Sequence, residues 1–294
     1  MARNALNTAF VADPLKFIKD KDHAVGGHDD LLQAMKGTRE ITMAMTDPMW
    51  RMCKRYLEAV DAIGQISFDL KAFKKGGHKM VVIQTVPAGS MSSVWAGLPR
   101  PSDRPVTGYW FPYKTLTPQQ LEAVKEGKGP SEGMGWVDFP MTAPAHPFVF
   151  TGSMQGCAIV VTLSPANPTT HFRAYHYPNV SSYIGKEGDM SFTKWPKSGG
   201  DVCAWLDDSQ YGASADDVDA FNFLHFSGDQ WRIYTQMQRR LTLRNVNDRT
   251  DRGVTIFQVL KTRVSEPIPT VPMSTFALLE QQTAWRDTIG KRKK

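Results

Sequence analysis

The sequence predicts an α+β fold, and three observations predict it. Apolar residues recur at helical spacing in some stretches, while others are β-branched and aromatic; the two kinds alternate along the chain without forming separate blocks. Several strand-like runs follow one another across short polar turns, which favours antiparallel pairing. The chain has 294 residues, 41% of them hydrophobic, enough to bury a sizeable core.

Residues 1–27 are polar and close on Gly26-Gly27, so they read as a flexible arm ahead of a single domain over 28–294. Residues 29–36 read as a short helix and 40–45 as a strand. Asp47-Pro48 is a strong helix start, with Asp as N-cap and Pro at the first helical position. Met49, Cys53, Tyr56, Leu57, Val60 and Ile63 then recur on one helical face, which makes Cys53 a small core residue. Residues 79–86 and 106–113 are strands. Thr117 and Gln120 form a capping box that opens a short helix, and the Gly-rich stretch 126–135 is a surface loop. Residues 148–151, 157–163 and 170–177 are further strands. The stretch 183–214 is rich in Gly, Lys, Asp and Ser, and reads as a long loop. Residues 215–224 read as a helix. Strands follow at 231–243 and 254–264, joined by a polar turn. Pro267, Pro269 and Pro272 form a rigid connector to a terminal helix over 274–289. There is no internal repeat.

Charge and motifs narrow the function. A net charge of +6 permits attraction to acidic partners without demanding it. The first residues have no apolar run flanked by basic residues, so they do not read as a secretory signal, and no run approaches the length of a membrane-spanning helix. The three cysteines, Cys53, Cys157 and Cys203, are widely spaced and form neither a disulfide framework nor a C-x-x-C pair. Cys203 sits among carboxylates, which raise a thiol pKa, so it reads as structural. His23, His28 and His78 have no metal-ligand spacing with any cysteine, and no metal or cofactor is expected. There is no P-loop and no G-x-G-x-x-G. Ser191-x-x-Lys194 and Lys197-Ser198-Gly199 are crowded into one loop, unlike the separated motifs of β-lactamases. Arg239, Arg240, Arg244, Arg249 and Arg252 read as a solvated hairpin face, and no nucleic-acid partner is expected.

The stretch GSMQGCAIVVTLSPANPTTHFRAYHYP, residues 152–178, carries the chemistry. Cys157 follows a glycine and begins a strand. A Pro/Asn turn follows, then a second strand with His171 and His176. A thiol attacks a carbonyl as thiolate and needs a base within reach. With the turn centred between Ala166 and Asn167, Cys157 falls directly opposite His176, and His171 falls opposite Thr162. His171 is then roughly 17 Å away along the strand and on the other face. His176 is therefore the expected base, with His171 the alternative. Gly152, Gln155 and Gly156 shape a tight turn before the thiol, which can present backbone N–H groups to an oxyanion. The same turn brings Thr151 back to the hairpin, where its hydroxyl can fix the imidazole tautomer.

Thr151, the Gly156-Cys157 junction, and a histidine closing the hairpin resemble the Cys-His-Thr site of bacterial glutamine deamidases. That superfamily includes Burkholderia lethal factor, the catalytic domain of cytotoxic necrotizing factor and the chemoreceptor deamidases. In the lethal factor and the chemoreceptor enzymes, too, the threonine lies six residues before the cysteine. LLQAMKGTREITMAM and TGYWFPYKTLTPQQLEAV resemble upstream segments of the lethal factor, so the likeness extends over residues 30–180. Gln155 stands where the toxins often have Ser. The resemblance implies a layered α/β sandwich, with a mixed, largely antiparallel β core flanked by helices. It also implies a monomeric bacterial toxin or effector, made in the cytoplasm without a Sec signal, then secreted or delivered to the host cytosol. Its substrate would be a host protein, one glutamine of which it converts to glutamate without a cofactor. The same dyad serves a cysteine peptidase or a transglutaminase, and a non-enzymatic binding protein would simply bury Cys157.

Overall fold

The computed structural model describes residues 4–26, 64–75, 78–86, 105–111, 134–178, 199–211, 218–243 and 254–274, with single positions 113, 117, 119, 122, 195, 277, 278 and 280. The expected elements at 29–36, 40–45 and 47–63, Cys53 among them, lie outside the described residues. So do most of the helix after Thr117, most of the 126–135 loop and the 245–253 turn. Of the terminal helix, the start is described, with Leu278 N–H donating to the Ser274 carbonyl at 3.0 Å.

The described chain is mostly β-sheet. The N-terminal residues, expected as a loose arm, are instead folded. Helix α1 spans Ala5–Ala12, capped by the Asn4 side chain, and α2 spans Pro14–Lys19. Asp13 ends the first helix and caps the second, with Pro14 at its first position, a signal of the same kind as Asp47-Pro48. Phe10, Phe17 and Ile18 are buried, and a short strand β1, Val25–Gly26, follows.

Strands β2 (Gly64–Lys75), β3 (His78–Val86), β4 (Val106–Trp110), β6 (Phe148–Phe150), β10 (Val218–Ser227), β11 (Gln230–Leu243) and β12 (Val254–Val264) join β1 in an eight-stranded sheet. Its order is β1-β3-β2-β4-β6-β10-β11-β12, antiparallel except for the β1/β3 and β4/β6 pairs. The remaining strands, β5 (Gly135–Pro140), β7 (Ala158–Leu163), β8 (His171–Tyr177) and β9 (Val202–Leu206), form a four-stranded antiparallel sheet ordered β5-β8-β7-β9.

Two expectations are overturned here. The expected helix over 215–224 is overturned in its described part: Val218–Ser227 is a strand whose Phe221 and Phe223 face one way while Ala220 and Leu224 face the other. Because both faces are buried, the strand reads as a continuous apolar run rather than an alternation. The expected loop at 183–214 contains β9 and a one-turn helix, α3, Asp208–Tyr211. Its strand is the short run Val202–Leu206, which the flanking Gly and Asp residues hide.

Burial divides into clusters. Phe10, Phe17 and Ile18 pack with Phe68, Leu70, Phe148, Phe150, Phe221 and Phe223 on one face of the large sheet. Ala24, just before β1, and Met80 of β3 pack with Phe257, Leu241 and Val259 from β11 and β12, so the two ends of the large sheet approach each other. Gln236 and Gln238 tie the N-terminal segment into this closure. The Gln236 side chain accepts from Val25 N–H at 2.8 Å and donates to the Ile18 and His23 carbonyls, and Gln238 donates to the Val25 carbonyl. A further cluster joins side chains of both sheets, among them Val137, Phe139, Cys157, Ile159, Val161, Phe172 and Ala174 from the smaller and Val149, Ala220, Leu224 and Ile233 from the larger.

Candidate active site

The chain crosses from one sheet to the other at the candidate site. Strand β6 ends at Phe150 in the large sheet, and β7 begins at Ala158 in the small one. Between them, Met154 pairs with Ala220 through two backbone hydrogen bonds of 2.9 Å. Gly156 then takes a φ of +71°, a conformation costly for any residue with a Cβ. Cys157 follows at the mouth of β7.

The hairpin register differs from the sequence expectation by two residues. His176 pairs with Ile159, not with Cys157, and Thr162 pairs with Arg173 rather than His171. Thr169 and Thr170 belong to the turn, which Asn167 closes by accepting from Thr170 and His171 N–H. A shift of two preserves the face. Cys157 and Ile159 therefore share the side of the small sheet on which Phe172, Ala174 and His176 lie, and this side meets the large sheet. Cys157 and His176 are diagonal neighbours instead of direct partners.

His171 is not brought to Cys157. It lies at the turn end of β8, paired with Pro140, and its Nδ1 is 2.9 Å from the hydroxyl of Thr170.

His176 is fully buried. Its Nδ1 lies 2.7 Å from Thr151 Oγ1, and its Nε2 has no hydrogen-bond partner among the described residues. The rings of Phe111 and Tyr113 stand edge-on to it, with centroids 6.5 and 5.0 Å away. Burial in these surroundings lowers its pKa to about 3, so the imidazole is neutral at physiological pH.

Cys157 is 4% exposed, and its thiol donates to the Gln155 carbonyl at 3.8 Å. Gln155 itself is exposed, while Gly152 and Gly156 are buried. The Cys157 N–H, the nearest donor for an oxyanion, is already engaged: it donates to Tyr211 Oη at 2.9 Å, and the same hydroxyl donates to the Cys157 carbonyl at 2.7 Å. Tyr211 was hidden in the expected loop. Its sequence signal is the capping box Asp207-Asp-Ser-Gln210, realised as Asp207 N–H donating to Gln210 Oε1 at 2.7 Å.

Asn222, buried on β10 opposite Thr235, donates from its amide to Met154 Sδ at 3.0 Å and so touches the segment that carries the thiol. Cys203 is fully buried, with its pKa pushed up to about 12 by burial and secondarily by Asp201. Among the described residues, no group of three or more His, Cys, Asp or Glu side chains is placed to hold a metal ion, and no helix is long and apolar enough to cross a membrane.

Residues 127–268, just under half of the 294, match the family model of the Mcf1 activator-binding domain. The matched segment contains Thr151, Cys157, His176 and Tyr211. No curated protein matches the chain.

Proposed function

We propose that this chain is a cysteine-dependent amidohydrolase that converts a glutamine side chain of a protein to glutamate, with Cys157 as nucleophile, His176 as base and Thr151 as the orienting group. The observation that carries the reading is the Thr151–His176 hydrogen bond of 2.7 Å, made through Nδ1, on the face that also bears Cys157. With the proton on Nδ1 and Thr151 accepting it, the Nε2 lone pair is the one available to a thiol. The choice of glutamine comes from the resemblance to the bacterial Cys-His-Thr deamidases. So do the proposals that the protein acts as a monomeric, cofactor-free toxin or effector on a host protein and that its two sheets belong to a layered α/β sandwich.

Cys157 adds to the glutamine carboxamide carbon while its proton passes to His176 Nε2. The tetrahedral intermediate collapses, the C–N bond breaks, and ammonia leaves with the proton returned by the imidazole. Water then attacks the thioester, giving its proton to His176, and expulsion of the thiol releases glutamate. A neutral imidazole with a low pKa disfavours a standing thiolate–imidazolium pair, so proton transfer accompanies attack.

The test is peptide mass spectrometry of host-cell proteins incubated with wild type and with Cys157→Ala. One or a few glutamines converted to glutamate by wild type alone, with ammonia released and chains intact, is the expected result. New termini would make the protein a peptidase, and a glutamine joined to an amine a transglutaminase.

The likeness of residues 127–268 to the Mcf1 activator-binding domain favours a second reading, a module that binds an activator protein, with Cys157 as a core thiol. Undiminished biological activity of a folded Cys157→Ala protein would select it.

A further inference from the structure

We infer that Tyr211 is an autoinhibitory latch on Cys157: its hydroxyl holds both peptide groups of the nucleophile, and the site becomes reactive when that hydroxyl lets go. The inference rests on the proposal that Cys157 is the nucleophile. A phenol has one proton to donate and lone pairs to accept, and Tyr211 spends both on one residue, accepting from Cys157 N–H at 2.9 Å and donating to the Cys157 carbonyl at 2.7 Å. The N–H of a cysteine nucleophile is the donor best placed for the oxyanion formed at its own sulfur. Here that N–H points at a tyrosine.

The rest of the site is consistent with a closed state. The thiol donates to the Gln155 carbonyl, His176 Nε2 has no hydrogen-bond partner among the described residues, and Cys157 is only 4% exposed. The imidazole thus makes no hydrogen bond to the thiol through Nε2. The latch is also built on a firm support. Tyr211 is fully buried on α3, whose start is fixed by the Asp207–Gln210 bond and by Trp205 Nε1 donating to Asp207 at 3.0 Å. Both hydrogen bonds run through one hydroxyl, so they are lost together when it moves away.

The latch is tested by the rate at which iodoacetamide alkylates Cys157 at neutral pH, followed by peptide mass spectrometry, with buried Cys203 as the internal reference. Tyr211→Phe keeps the ring and removes the hydroxyl, and is expected to speed alkylation of Cys157 about tenfold while Cys203 stays as slow as in wild type. A Cys157 rate equal to or below wild type, with Cys203 unchanged, overturns the latch. If both cysteines accelerate together, the fold has opened, and Gln210→Met decides: it loosens α3 but keeps the phenol. Faster alkylation of Cys157 alone in that variant supports the latch, and an unchanged rate overturns it. Alkylation needs no turnover, so glutamine conversion measured in parallel separates the two ideas. A faster thiol without conversion in any variant removes the deamidase and keeps the latch; conversion by wild type with no change in thiol rate does the reverse.

Discussion

Thr151 and His176 stand on different sides of the molecule's main division, Thr151 after the last residue of β6 in the large sheet and His176 in β8 of the small one, yet Thr151 Oγ1 and His176 Nδ1 are 2.7 Å apart and buried. The bond orients the imidazole and joins two sheets at once. Thr151→Ala leaves a buried ring nitrogen unsatisfied, so a loss of about 1–3 kcal/mol in urea unfolding is expected, together with lowered but residual activity. Thr151→Ser keeps the oxygen and should stay close to wild type in both. A fully active Thr151→Ala protein would remove the orienting role.

Cys157→Ala should abolish glutamine conversion. Its thiol lies in the cluster between the sheets, so a stability loss of about 1 kcal/mol is expected from the vacated volume. Thermal unfolding and ammonia release, measured on the same preparation, separate the two effects.

His176 supplies a pH test. Its ordinary pKa of 6.5 applies in the unfolded chain and burial lowers it to about 3 in the folded one, so between these values the unfolded state binds the extra proton. Stability from this group is complete above about pH 6.5 and falls as pH drops, by up to about 1.4 kcal/mol per pH unit. Urea unfolding at pH 7, 6 and 5 (about these values) should show a steeper decline for wild type than for His176→Leu. Parallel slopes would mean that His176 is protonated in the fold.

At Gly156, φ of +71° admits glycine and penalises other residues. Gly156→Ala is expected to cost about 1–2 kcal/mol and to displace the thiol, lowering its alkylation selectivity. A variant as stable and as reactive as wild type would show that the turn is not constrained.

Phe10 meets the rings of Phe17, Phe148 and Phe223 at 5.4, 5.1 and 5.3 Å. Phe10→Ala should cost about 3–5 kcal/mol. Limited proteolysis should leave residues 4–26 uncut in wild type and cut them in the variant.

Much of the strand content was legible. The runs at 79–86, 106–113, 148–151, 157–163, 170–177, 231–243 and 254–264 are apolar or alternating and lie between turn residues, and a strand occupies most of each, ending at Trp110 and Phe150 in the second and third and starting at Ala158 and His171 in the next two. Strand β2 carries a signal in Gln65 to Leu70, which alternates polar and apolar residues; β5 carries only a short one in Val137, Asp138 and Phe139, because the apolar Trp136 breaks the pattern. The 215–224 stretch misled because burial on both faces erases the period-two pattern. The hairpin face was readable from parity, which is why Cys157 and His176 share a side; the register was not, because Thr169-Thr170 has strand-forming side chains yet sits in the turn. Tyr211 was unreadable as a partner of Cys157. Contacts 54 residues apart leave no local trace, and only the capping box before it marked a fixed turn.

Gln236 and Gln238 on β11 set an order of events in folding. Val25 N–H finds its acceptor 211 positions further along the chain, and the Val25 carbonyl its donor 213 positions further. Helix α1 meets β2 earlier, through Asn7, which donates to Asp69 and accepts from Leu70 N–H, whereas the segment around Ile18, His23 and Val25 has no complete seat until β11 has formed. Contacts of such long sequence separation must bear a large loop-closure entropy before any stabilisation is gained. The segment around α2 therefore remains partly uncovered during most of synthesis, and refolding should be slow, cooperative and sensitive to protein concentration.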